Sequence, residues 1–311
     1  MRAIVCEKYG PPEVLRVAQV AKPIPGKHQI CVKVQATAVT TSDSRIRAFR
    51  FPLWHPVGLM IRIVIGIRKP RRPILGLVFS GEIESVGECV TRFQTGDQIY
   101  GMTGVNFGTY AEYVCLSERG CSAKKPQEVS HTDAAAVAYG ALLAGFFLQK
   151  GKIQDRKKVL IYGASGAIGT AAVQLAKHFG ADVTGVCSTT NLELVKTLGA
   201  NSIIDYTKED SIPSGECFDL VFDAVGKDKS SKLKVACKKA LTQSGRYISV
   251  DDGVPQSRVE NLELVNELLV KGDYKAVIDK HYYFDQIVEA HRYVDTGHKK
   301  GNVVITLQKE E

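Results

Sequence analysis

Ten residues in the middle of the chain, LIYGASGAIG (Leu160–Gly169), restrict its fold more than any other stretch. An apolar, β-branched run enters glycines at 163, 166 and 169 and leads into the helical pattern TAAVQLAKHFG. That order reads as strand, tight turn, helix. Glycine lets a backbone approach a pyrophosphate closely, and a helix N-terminus offers unpaired N–H groups and a favourable dipole. Gly163, Ala164, Ser165, Gly166, Ala167, Ile168 and Gly169 are therefore the candidate phosphate cradle. A glycine triplet alone would equally suit a plain structural turn. Here it stands at the first strand of a βαβαβ series, which favours nucleotide binding.

Two other nucleotide folds fail on the same residues. A P-loop closes with Gly-Lys-Ser/Thr, whereas Gly169 is followed by Thr170 and Ala171. A short-chain dehydrogenase carries Tyr with Lys four residues later and has its glycine loop near the N-terminus; neither holds here. The second strand ends in GVCSTTN, with Cys187, Ser188, Thr189 and Thr190 where an NAD site usually has a carboxylate on the ribose 2′-OH. Hydroxyls without a repelling carboxylate tolerate a 2′-phosphate, so Ser188 and Thr189 point to NADP(H). Ordinary strand-end turn chemistry is the alternative for them.

Apolar runs alternate with helical patterns from about residue 131 onward: KVLIYGA, ADVTGVCS, SIIDY, FDLVFDAVG and GRYISV, each separated by a helix or loop. Near-continuous apolar strands between helices indicate an α/β, doubly wound parallel sheet of about five strands. Residues 1–125 differ, with short alternating runs such as QICVKVQATAV and turn signals such as PIPG and QTGD. They read as a β domain. A length of 311 residues suits two domains.

The formal net charge of +8 is dispersed apart from IRKPRR at 67–72, so nucleic acid is not an expected partner. Eight cysteines form no C-x-x-C pair and read as reduced, mostly core thiols. MRAIVCEKYG lacks a signal-peptide apolar region, which makes a cytoplasmic address the expectation. No apolar run approaches the ~20 residues of a membrane span. Residues 50–73 stitch an apolar stretch with basic side chains; a packing arm or lid is the plainer reading, and a weak membrane-surface contact is the other.

Several longer pieces, in order, carry a resemblance: AVTTSDSRIRAF, PILGLVFSGEIESVG, RFQTGDQIYG, GTYAEYV, KVLIYGASGAIGTAAVQLAKHFGADVTGVCST, LVKTLGANSIIDY, FDLVFDAVG and GHKKGNVVI. Over essentially its whole length the chain resembles the medium-chain dehydrogenase/reductase superfamily, in its zinc-free quinone oxidoreductase (zeta-crystallin-like) group. The resemblance implies a GroES-like substrate domain (1–125, with a C-terminal return at 276–311) and a Rossmann NADP-binding domain (126–275), with the cofactor in the cleft between them. It also implies cofactor contacts at Tyr206, Ala224, Val225, Ser249 and Val250. Zinc-dependent relatives draw ligands from positions that here hold Thr40, Leu77 and Val78, which offer no thiolate, imidazole or carboxylate; no metal is expected.

The activity implied is NADPH-dependent hydride transfer to quinones or α,β-unsaturated carbonyls. An NADP-binding regulatory or membrane-associated protein with little turnover is the alternative. Tyr139 and Thr40 are the candidates for a role at the reaction centre, and Asp43 would equally cap the helix SRIRAF. Relatives carry Lys or Arg where this chain has Thr190, a carboxylate at Val78 and Thr at Leu143; Lys208 beside Tyr206 would replace the missing charge. Pro255 in the short segment GVPQSRVE disfavours a sixth ladder strand, so an edge-to-edge dimer of the parallel sheets is not expected.

Overall fold

The computed structural model describes residues 1–50, 62–154, 156–227, 230–253 and 255–307. Two compact units emerge, Met1–Ala138 with Ile278–Glu311, and Tyr139–Val277.

The first unit opens with an antiparallel pair, β1 (Arg2–Cys6) and β2 (Leu15–Gln19). The central strand of its larger sheet is β3 (Gln29–Ala38), whose alternating Ile30, Val32 and Val34 are buried, as a half-buried strand of period 2 requires. Helix α1 (Thr41–Arg47) follows directly. Antiparallel strands β4 (Val78–Val86), β5 (Gln98–Met102) and β7 (Cys121–Lys124) extend the sheet on one side, and β6 (Tyr113–Ser117) pairs with β3 on the other.

Helix α2 (His131–Lys150) runs from this unit into the second. It corrects one sequence expectation, because it is long and apolar enough to cross a membrane by length and composition. Its hydropathy comes from Val137, Leu142, Leu143, Phe146, Phe147 and Leu148 together with six alanines, and 78% of its most apolar stretch is buried inside the protein, as in a core helix.

The second unit then alternates β8 (Lys158–Tyr162), α3 (Ala167–His178), β9 (Asp182–Cys187), α4 (Leu192–Thr197), β10 (Ser202–Asp205), β11 (Phe218–Asp223), α5 (Lys232–Lys239), β12 (Leu241–Ser249) and α6 (Val259–Lys271). Every strand pair is parallel, in the order β10-β9-β8-β11-β12. The order reverses between β8 and β11, and that switch point is where open α/β sheets hold ligands. Five parallel strands with a Rossmann order match the expectation from sequence.

The chain finally returns to the first unit as β13 (Ile278–Tyr283), α7 (Ile287–Asp295) and β14 (Asn302–Thr306). β14 pairs antiparallel with the end of β3 and parallel with β13, completing a seven-stranded sheet. Arg47 of α1, with no exposed surface, bonds Asp295 of α7 at 2.6 Å and ties the return to the start.

Two other expectations need adjustment. Only four cysteines are buried (6, 31, 187, 237), while Cys89 and Cys217 are exposed, since both lie outside the strands, where no apolar layer covers them. Of the basic apolar arm, residues 51–61 lie outside the described residues. The rest leaves Ile63, Val64 and Ile67 exposed, with Arg62 stacked 4.0 Å over the Phe49 ring.

Candidate functional site

The glycine loop joins β8 to α3 at the switch point. Gly163 has φ +84°, a conformation open to glycine, and a Cβ there would lie 2.5 Å from Val225 Cγ2. Its N–H and that of Ala164 both donate to Val186 O on β9, which pins the turn to the neighbouring strand. A Cβ on Gly169 would fall 2.0 Å from Gly163 O, so the third glycine lets helix and strand pack. Gly166 differs. As N-cap of α3 it has no side-chain cap, and a Cβ would meet nothing nearer than Gly163 O at 3.6 Å. No acidic residue stands in the first turn of α3. The space beside Gly166, faced by a helix N-terminus, is thus shaped and polarised for an anion. An incoming pyrophosphate fits this cradle.

Gly140 was not singled out by sequence. Its Cβ would sit 2.6 Å from Ala167 O, so α2 packs backbone to backbone on the first residue of α3. Tyr139 is therefore held one residue from that contact, buried on α2 beside the glycine loop. The only sequence signal for Gly140 was a glycine inside an Ala-rich helix.

At the end of β9, Asn191 Nδ2 donates to Ser165 Oγ and to Ser188 Oγ, both at 3.1 Å, and so fastens the glycine loop to the strand end. Cys187 is buried, and desolvation pushes its thiol up to about 11, which makes it inert. β9 ends without a carboxylate, as its sequence reads, yet one stands beside it. It is contributed by β10: Asp205 pairs in register with Cys187 and accepts from the Thr189 hydroxyl at 2.5 Å. Parallel pairing brought in a side chain eighteen residues away, which strand-by-strand reading of β9 could not see. Asp205 also accepts from the Thr207 hydroxyl (2.6 Å) and amide (3.0 Å), with Lys208 Nζ at 4.0 Å. These bonds, from Thr189 first, hold its carboxyl below the ordinary range. Its charge is already met, unlike that of an open ribose-binding acid. Tyr206 and Lys208 remain exposed beside it.

Across the switch point, β11 ends at Asp223, which has no exposed surface and forms a buried ion pair with Lys234 at 2.7 Å. It accepts from Tyr247 Oη (2.7 Å), Ser249 Oγ (3.4 Å) and the amides of Val225 and Gly226. Lys234 also donates to Gly226 O at 2.5 Å. This network, missed by sequence reasoning, shapes the loop that carries Ala224 and Val225. Val225 packs on Gly163, Ser249 is sealed inside, and Val250 N–H donates to Asp223 O.

In the first unit, Thr40 is the N-cap of α1 in a complete capping box: its hydroxyl accepts from Asp43 N–H (3.1 Å) and donates to Asp43 Oδ2 (2.7 Å), and its own N–H donates to the same oxygen (2.9 Å). Burial pushes Asp43 up to about 6 against these bonds. Val78, the first residue of β4, and Leu77 just before it are both buried. Among the described residues no three His, Cys, Asp or Glu side chains lie together as a metal centre would need.

Comparison with known proteins decides the family. Residues 26–127 match the alcohol dehydrogenase GroES-like domain family, and residues 167–270 and 254–305 match two zinc-binding dehydrogenase families. A 2-methylene-furan-3-one reductase of Solanum lycopersicum is 33% identical, over 98% of this chain and 79% of its own length. The chain belongs to the medium-chain dehydrogenase/reductase superfamily. Within that superfamily, the NADPH-dependent alkenal/one oxidoreductase of Arabidopsis thaliana is 29% identical over 98% of this chain and 79% of its own. The solved quinone oxidoreductase of Coxiella burnetii aligns with a TM-score of 0.85 and 27% identity, covering 99% of both chains. Superfamily profiles named for zinc thus match a member whose ligand positions hold a capping threonine and two buried aliphatic side chains.

Proposed function

We propose that this chain is an NADPH-dependent reductase of quinones or α,β-unsaturated carbonyls that works without zinc. The observation that carries the proposal is the Gly166 cradle, combined with the commitment of Thr40 to its cap and of Leu77 and Val78 to the core. The activities for which the tomato, Arabidopsis and Coxiella relatives are named agree with it.

The glycine-loop residues 163–169 would hold the pyrophosphate, with the N–H groups at the start of α3 facing its charge. Ser188, Thr189 and Tyr206 would border the adenosine ribose. Thr189 turns its proton inward to Asp205, so a 2′-phosphate would take its positive partner from Lys208. Ala224, Val225, Ser249 and Val250 would line the cofactor through the loops that Asp223 shapes. The bound nicotinamide supplies a hydride. An enone or quinone is already electrophilic, so positioning it against that donor supplies much of the catalysis, and no acidified hydroxyl is needed. Tyr139 would offer its hydroxyl to the acceptor oxygen; Thr40, with its proton on Asp43, would act through the cap.

Fluorescence titration with both reduced cofactors tests the first half: NADPH binds more tightly than NADH, and Lys208→Glu removes the difference. Equal affinities in the unaltered chain contradict it. Tyr139→Phe tests the second: a large fall in kcat with unchanged cofactor affinity supports hydrogen bonding to the acceptor. An unchanged kcat leaves proton delivery to water. A cytoplasmic address, a weak surface contact through the basic arm at 50–73, and the absence of an edge-to-edge sheet dimer belong to the same reading.

A further inference from the structure

We infer that Cys31 and Cys115 form a cross-strand dithiol that closes reversibly to a disulfide when the protein meets a peroxide. The two residues stand directly opposite one another in the antiparallel register of β3 and β6. Among the described residues no other two cysteines are opposed in this way.

Hydrogen bonding fixes what kind of pair they are. Glu118 N–H donates to His28 O and Val34 N–H donates to Glu112 O, in the same register. Even-numbered positions of β3 are therefore the hydrogen-bonded pairs, and Cys31 opposite Cys115 is a non-hydrogen-bonded one. In such pairs Cα atoms lie ~4.5 Å apart with side chains on one face, inside the span a disulfide bridges without backbone movement. Each thiol is near enough to shift the other's ionisation, Cys31 downward and Cys115 upward.

The surroundings give one thiol an outlet and bury the other. Cys115 is partly exposed and Cys31 is fully buried, its S–H directed at Pro23 O at 3.9 Å. Lys22, next to Pro23, bonds Glu84 at 2.5 Å and lies 4.1 Å over the ring of Tyr113, two residues before Cys115 on the same face of β6. The Cys31 thiol is the one lowered, first through the Cys115 S–H, while Cys115 is raised. Glu84 opposes proton loss and Lys22 favours it, so the pair loses its first proton at Cys31, and the partly exposed Cys115 becomes the attacking thiolate by handing its own proton to Cys31 sulfur.

Cys115 sulfur attacks one peroxide oxygen; the S–O bond forms, the O–O bond breaks, and hydroxide leaves with the thiol proton as water. Cys31 sulfur then attacks the sulfenic sulfur. The S–S bond forms, the S–O bond breaks, and a second water carries away the other thiol proton. Two thiols lose two hydrogens in all, and one peroxide becomes two waters.

The full chain carrying Cys89→Ser and Cys217→Ser, which removes the exposed thiols, is treated with hydrogen peroxide. It is then blocked with N-ethylmaleimide in denaturant and digested with trypsin without reduction. The expected product is His28–Lys33 joined to Phe93–Arg119, two hydrogens lighter than the separate peptides, lost on dithiothreitol treatment and absent from Cys115→Ser. The unaltered chain gives the same linked pair, which covers a variant that fails to fold. Recovery of both peptides unlinked, with Cys31 maleimide-blocked and Cys115 either blocked or oxidised to sulfinic acid, would overturn the proposal. So would a link from either residue to another cysteine.

Discussion

Gly163, Gly166 and Gly169 look alike in sequence and do different work in the fold. Gly163 and Gly169 are required by packing, with Val225 and the Gly163 carbonyl where a side chain would go, whereas the space beside Gly166 is open. Gly166→Val should therefore leave the melting temperature within a few degrees of the parent while abolishing reduced-nicotinamide binding. Gly169→Ala should instead lower stability by roughly 1–3 kcal/mol, as overpacking does. Paired thermal melts and fluorescence titrations read both effects. The buried Asp223–Lys234 pair gives a second test. Asp223→Ala strands a buried ammonium and should cost about 3–5 kcal/mol in urea unfolding. Lys234→Met should cost less, because the carboxylate keeps its hydroxyl and amide donors. A costlier Lys234→Met would contradict this account. The glycine cradle was legible because glycine spacing encodes backbone geometry directly. Asp223 was not, since an acid at a strand end announces nothing about the lysine eleven residues on that neutralises it.

Helix α1 and its surroundings show how elements store a pH response. Asp43 in the α1 capping box is pushed up to about 6 by burial, while His291 on α7, edge-on to Tyr110 and near Arg47 and Asp295, is pushed down to about 3. His131 at the start of α2 is pushed down to about 4 by burial, with Ser80 Oγ on its Nδ1 at 2.8 Å. For the histidines the unfolded chain binds more protons below pH 6.5, so their stability is present above that value and lost as the pH falls. Asp43 works oppositely, since its folded pKa is raised: stability is lost as pH rises through the window up to about 6. Two histidines outweigh one carboxyl, and His291 alone sets a loss of about 2 kcal/mol at pH 5 relative to pH 7. Urea midpoints should fall between pH 7 and 5, and His291→Leu should flatten the fall; an unchanged slope would contradict a buried neutral imidazole. Strand and helix order was readable from periodicity, whereas α1 begins earlier than SRIRAF, with Thr40 as its N-cap and Asp43 as the third residue that completes the box. Pairing across elements was not readable, and so Asp205 reached Thr189 unannounced.

At the scale of the molecule, a dehydrogenase architecture usually named for zinc is carried by a chain whose ligand positions are Thr40, Leu77 and Val78. Incubation with a strong chelator should leave reductase activity unchanged, and elemental analysis should find no stoichiometric zinc; a loss restored by zinc would contradict the assignment. The sheet of five parallel strands was foreseeable because apolar strands alternating with helices admit few topologies. The acceptor was not, because hydride acceptors are selected by shape and apolar contact, which no short motif records. The central claim is tested most directly by following loss of reduced-nicotinamide absorbance when the purified chain is mixed with NADPH, chelator and a panel of quinones and enones. The account predicts saturable turnover with at least one acceptor class, at rates higher with NADPH than with NADH. Tight NADPH binding with no turnover on any acceptor would contradict it.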